Sequence, residues 1–142
     1  MPALMDVISN DELTKDKIAE IFRNAYMNPV VGDGADVRLT IDGIKVIITV
    51  DQPRKILHVM SLFGAKPGTT RQQLLELCNR INDGLVLIRA AYPSALPTTT
   101  LMLDDYVVTE AGLTAREIVD EARRFRTVIS SVPPLDQEHI LV

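Results

Sequence analysis

The stretch from Asp36 to Phe63 limits what this chain can fold into more than any other. Val37, Leu39 and Ile41 alternate with Arg38, Thr40 and Asp42. Asp42-Gly43 follows, then Ile44 to Val50, then Asp51-Gln52-Pro53-Arg54, then Ile56 to Phe63. Alternation with a period of two is the pattern of a half-buried strand. Asp-Gly between two such runs predicts a tight hairpin, because both central residues of that turn need positive φ. Three consecutive antiparallel strands result, and they form a slab on which helices must sit. In the second strand Ile44, Val46, Ile48 and Val50 face one way, and Lys45, Ile47 and Thr49 the other. Apolar content on both faces predicts a central strand whose second face is covered at least in part. In the third strand Ile56, His58, Met60 and Leu62 share one face, and Leu57, Val59 and Phe63 the other.

Helices flank this slab. The first begins at Ser9, where Ser9-Asn10-Asp11-Glu12 is a capping box, or at the rival cap Thr14. Either start puts Ile18, Ile21, Phe22 and Ala25 on one apolar face, and Asn28-Pro29 ends the helix. Thr70, with Gln73 three residues on, caps a second helix whose inner face is Leu74, Leu77, Cys78 and Ile81. Asn82-Asp83-Gly84 stops it, Gly84 being suited to a left-handed position. Leu85 to Tyr92 reads as a fourth strand, Pro93 to Pro97 as a loop and Thr98 to Val108 as a fifth strand. Thr114-Ala115-Arg116-Glu117 is a capping box, and Leu113 and Ile118 are spaced as its hydrophobic staple. Ile118, Ala122, Phe125, Ile129 and Val132 form the stripe of the third helix, which Pro133-Pro134 ends. The predicted order is α-β-β-β-α-β-β-α. This is an α+β fold, a five-stranded antiparallel sheet packed with three helices. It forms one domain over residues 1–134, followed by a C-terminal tail, 135–142, that is either mobile or docked.

The 142 residues suffice for one core that buries ~68% of the surface exposed by the unfolded chain. A formal charge of −4 lacks the electrostatic footprint of a nucleic-acid or anionic-membrane binder. One cysteine excludes an intrachain disulfide and suits a reducing compartment. Met1 to Asp6 has neither the basic region nor the apolar core of a signal peptide, and apolar runs such as Leu85 to Ile88 fall far short of a membrane span. A cytoplasmic location is expected. Aromatics make up 4% with no Trp, which argues against sugar-binding platforms and base-stacking surfaces.

Few residues offer chemistry. Cys78 shares the stripe of Leu74 and Ile81, so it reads as core. His58 and His139 are the two histidines, with no short-spaced His or Cys partners, so neither a metal site nor a cofactor is expected. Gly32-Asp33-Gly34-Ala35-Asp36 has Ala where a calcium loop needs a ligand. Gly64-Ala65-Lys66-Pro67-Gly68-Thr69-Thr70 has Thr69 where a phosphate loop needs Lys, so it reads as a turn plus a helix cap. Asp104 and Asp105 point to opposite faces of a strand and read as solvated strand-end charges. Arg123, Arg124 and Arg126 suit a helix C-terminus beside Asp120 and Glu121.

Three segments carry a family resemblance. Leu13-Thr14-Lys15 with Ile18-Ala19-Glu20-Ile21-Phe22 resembles the opening helix of the YbjN family, bacterial sensory transduction regulators with the fold of type III secretion chaperones. Leu75 to Asn82 resembles its middle helix, and Gly112 to Ile118 the turn and start of its last helix. The Pro93 to Pro97 loop and the Pro133-Pro134 tail depart from the pattern. The resemblance implies a homodimer that binds another protein, and it transfers no catalytic residues. The expected function is therefore a non-catalytic, chaperone-like or regulatory protein-binding module. The alternative is a small-molecule binder or enzyme with a pocket between sheet and helices, lined by His58, Arg89, Asp104 and Tyr106.

Overall fold

The computed structural model describes residues 4–93 and 100–142. The strands are β1 (Val7–Ile8), β2 (Val30–Val31), β3 (Asp36–Ile41), β4 (Ile44–Asp51), β5 (Ile56–Gly64), β6 (Arg89–Ala91), β7 (Thr100–Val108) and β8 (Leu113–Thr114). The helices are α1 (Lys15–Asn24), α2 (Arg71–Gly84) and α3 (Ala115–Ile129), with 3-10 turns at Asn10–Glu12 and Pro133–Leu135. Six strands form one antiparallel sheet in the order β2-β3-β4-β5-β7-β6, and β1 pairs with β8 in a second, two-stranded sheet.

The α+β class and the three helices stand, but the expected five-stranded sheet does not. Two-residue strands such as β2 are too short to leave an alternation in the sequence. The fourth predicted strand shrinks from Leu85–Tyr92 to Arg89–Ala91, because Leu87 takes φ 62° and breaks the extended run. Gly84 stays inside α2 and is not among the left-handed glycines, so the turn falls at Leu87 instead. Thr98 and most of the Pro93 to Pro97 loop lie outside the described residues.

The local signals mostly act as read. Asp42 and Gly43 take φ 46° and 80°, as the two-residue hairpin requires. Thr14, not Ser9, caps α1, its hydroxyl accepting from Lys17 N–H. Ser9 instead precedes the first 3-10 turn and makes no side-chain cap. Thr70 and Thr114 both form complete capping boxes, with Gln73 and Glu117.

The core-facing residues of the large sheet include Val37, Leu39, Val46, Ile48, Leu57, Val59, Leu101 and Leu103, all buried. They join the stripes of the three helices in one apolar cluster with Phe22 and Phe125. Residues of the opposite face, Ile47, Ile56, Met60, Leu62, Met102 and Val108, do not belong to that cluster. The second face of β4 is therefore left open, contrary to the cover expected from Ile47. One apolar residue on a strand shows what it would tolerate, not whether a helix returns to it.

The tail docks. Ala65 bridges to Leu141, Lys66 N–H donates to Ile140 C=O at 2.7 Å, and Val142 N–H donates to Gly64 C=O at 2.9 Å. Buried Asp136 accepts from the N–H groups of Ile140 and Leu141, and Ile140 is buried.

Candidate functional site

On the open face, the register of the central strands brings distant polar residues side by side. β7 pairs Asp104 with Arg89 of β6 and Tyr106 with His58 of β5. Arg89 grips Asp104 with Nε to Oδ1 at 2.9 Å and Nη2 to Oδ2 at 2.7 Å. His58 Nε2 lies 2.7 Å from Asp104 Oδ2. An ionised carboxylate only accepts, so that nitrogen carries the proton. Tyr106 stacks on the His58 ring, centroids 4.5 Å apart and planes 14° from parallel, and Arg89 lies 5.7 Å from the centre of the same Tyr106 ring. Together these groups shut Asp104 off completely, at 0% exposure, on a face that no helix among the described residues covers.

Burial alone would raise the Asp104 carboxyl, but hydrogen bonds from His58 and Arg89 hold it below the ordinary carboxylate range. Asp104 is thus a satisfied buried anion and not the solvated charge expected from sequence. Asp105 does point to the other face, where Arg124 Nη2 donates to it at 2.9 Å. The four residues assigned to a pocket between sheet and helices therefore meet one another, but across the sheet from the helices. Arg89, Asp104 and Tyr106 border only a shallow hollow of about 270 Å³ with Leu87 and Ile88.

A cavity between sheet and helix does exist, with other residues. Between α3 and the inner face of the sheet lies a space of about 350 Å³ over Ile48, Leu57, Val59 and Ile118. Its mouth carries Glu117, Asp120, Glu121 and Arg124. Arg124 bonds Glu121 and Asp105, and its Nη1 is buried with no hydrogen-bond partner among the described residues. Burial, and then hydrogen bonding with Asp105, raise the Glu121 carboxyl above its usual range. Sequence reasoning missed this site, because Asp105 and Arg124 lie on different elements.

The remaining candidates are structural. Burial in the core pushes the Cys78 thiol up to about 11, the opposite of what a nucleophile needs. Lys15 Nζ donates to the carbonyls of Gly32 and Gly34, both at 2.8 Å, so an ammonium fills the calcium-like loop. The Gly64–Thr70 loop is a turn before the Thr70 cap. Arg126 donates to the carbonyls of Ile41 and Asp42 and so ties α3 to the hairpin. Asn82 of α2 donates to Ala90 C=O and accepts from Ala90 N–H, which pins the edge strand β6 to the helix. Among the described residues no helix is long and apolar enough to cross a membrane.

Large apolar side chains are exposed at both edges of the large sheet, Val30 of β2 at 64% and Val86 and Leu87 before β6 at 77% and 62%, and on its open face, Leu62 at 42% and Val108 at 66%. The family model of YbjN, described as "Putative bacterial sensory transduction regulator", matches residues 14–134, and the chain belongs to that family. Among solved structures it is similar to YbjN of E. coli, described as "a putative transcription regulator". That likeness has a TM-score of 0.73 and 14% identity over 89% of this chain and 94% of that one. It is also similar to a chain of the HopA1–SchA chaperone–effector complex, with TM-score 0.56, 13% identity and coverage of 87% and 92%. An uncharacterized protein from Methanothermobacter thermautotrophicus aligns with TM-score 0.59 and 10% identity, covering 90% and 99%. At these identities the likenesses speak for fold alone. No curated protein matches the chain.

Proposed function

We propose that this protein is a non-catalytic binding module, chaperone-like or regulatory, that works as a homodimer in the cytoplasm and takes a segment of another protein on the free edge of β3. The observation that carries this reading is the edge itself. β2 pairs with β3 only at Val37 and Arg38. In a two-residue hairpin the residues flanking the turn, Ile41 and Ile44, form a hydrogen-bonded pair, so Thr40 and Lys45 form a non-bonded one. The N–H and C=O of Thr40 therefore point away from β4, past the end of β2. A hollow of about 360 Å³ lined by Met27, Val30, Arg38 and Thr40 lies beside them. An extended segment can add there, with main-chain hydrogen bonds for affinity and the hollow for a side chain. Membership of a regulator family and a fold shared with a chain of a chaperone–effector complex agree with this role.

Thr40→Pro removes the outward N–H and leaves the ladder to β4 intact. Wild-type protein used as bait in a lysate of its own cells is expected to retain a polypeptide that the equally folded Thr40→Pro variant loses. Retention of nothing by the wild type, or of the same chains by both, would sink the reading. For the second copy, the exposed Val86 and Leu87 beside β6 supply an apolar patch. A second reading, a small-molecule site between sheet and helices, draws on the cavity under α3.

A further inference from the structure

The geometry points to the cavity between α3 and the sheet as an anchor pocket for a partner segment that carries an apolar side chain next to a basic one. This deepens the protein-binding reading and rests on it for the source of the segment. The floor of Ile48, Val59 and Ile118 is apolar, and about 350 Å³ lies at the small end of ligand sites. A water molecule there would find few polar partners, so an apolar side chain is the better occupant.

The mouth has the opposite chemistry. Glu117, Asp120 and Glu121 face a single lining cation, Arg124. Arg116 reaches Asp120 at 3.6 Å, but both side chains are more than 60% exposed, so that pair offsets little of the negative potential. The excess of carboxylates repels an anionic ligand and favours a cation at the rim. Arg124 is itself committed, its Nη2 serving Asp105 and Glu121. A peptide supplies the apolar side chain and the basic one at once.

The test is an amide-resolved NMR titration of the full chain with short blocked Gly/Ser peptides, each holding one Leu flanked by Lys, by Ser or by Glu. The Lys-flanked peptide is expected to shift the signals of Val59, Val107, Leu113 and Ile118 and to bind about tenfold more tightly at low salt than the Glu-flanked one. The Asp120→Asn, Glu121→Gln double variant is expected to remove most of that preference while keeping the fold. Ile118→Phe, which fills the cavity, is expected to abolish the shifts. Equal binding of the three peptides, or no shift with the Lys-flanked one, overturns the inference. Shifts confined to the β3 edge around Thr40 also overturn it, yet leave the protein-binding reading standing. Saturation of the cavity by n-octylammonium but by no peptide overturns it in favour of a small cation.

Discussion

Arg89 shows how much one side chain can hold in place. Replacing it with Ala leaves the fully buried Asp104 with the His58 ring as its remaining side-chain hydrogen-bond partner among the described residues. Stranding a buried charge typically costs about 3–5 kcal/mol. Arg89 is 55% exposed, so water can enter where it stood, and about 2 kcal/mol is the expected loss in denaturant unfolding. Asp104 also shapes the acid limb of stability. Its folded value lies below the unfolded one of about 3.9, so its contribution is present above that value and is lost as pH falls through the folded one. Melting temperature should drop on acidification below about pH 4, and Asp104→Asn should flatten the drop. Cys78 acts at the other end of the scale. Its folded value, about 11, exceeds the ordinary 9.0, so the stability linked to it is complete below pH 9.0 and fades as pH rises toward 11. Thiol labelling of the native protein should track unfolding, and Cys78→Ala should lose the alkaline decline.

At the scale of elements, two glycines with the same backbone angle should behave differently. Gly43 and Gly112 both sit at φ +80°. A Cβ on Gly43 meets nothing within 4 Å, so Ala costs only the left-handed conformation, about 1–2 kcal/mol. A Cβ on Gly112 would lie 2.6 Å from the Ile8 carbonyl oxygen, where β1 crosses the turn into β8. That contact is with backbone and cannot swing aside. Gly112→Ala should therefore melt clearly below Gly43→Ala, and equal melting temperatures would mean the N-terminal strand is not seated as described. The turn at Gly112 was visible in the sequence, but its neighbour was not, because Ile8 lies more than a hundred residues away. Asn10 illustrates the same limit. It donates to Gln52 C=O and accepts from the Thr109 hydroxyl, so three turns far apart in the chain are joined by one amide.

For the whole molecule, the tail and the second copy carry the expectations. Residues 135–142 close the end of β5 through Leu141 and Val142 and bury Ile140. A chain ending at Pro134 should lose several degrees of melting temperature, since burying one such side chain is worth about 1.5–3 kcal/mol. No change would mean that the docked tail adds nothing to the fold. Light scattering behind a sizing column should give a dimer that persists on dilution, and Leu87→Asp should give a folded monomer. A wild-type monomer at all concentrations would remove the second copy from the proposed function.

The elements that could be read in advance are those set by contacts within a few residues. The Asp42-Gly43 hairpin, the Thr70 and Thr114 caps and the stripes Leu74-Leu77-Cys78-Ile81 and Ile118-Ala122-Phe125 follow from φ preference, capping and periodicity. Each is a local minimum that the tertiary fold reinforces. The tertiary structure alone decided the rest. Ile47 carries no mark saying that its face stays open, and Asp104 none saying that Arg89 and His58 will close over it. Those outcomes depend on which strand lies beside which, and on helices that all pack to one side. Strand order and layer packing are settled by burying the most apolar surface while pairing every buried polar group, a condition on the whole chain that no short window of residues contains.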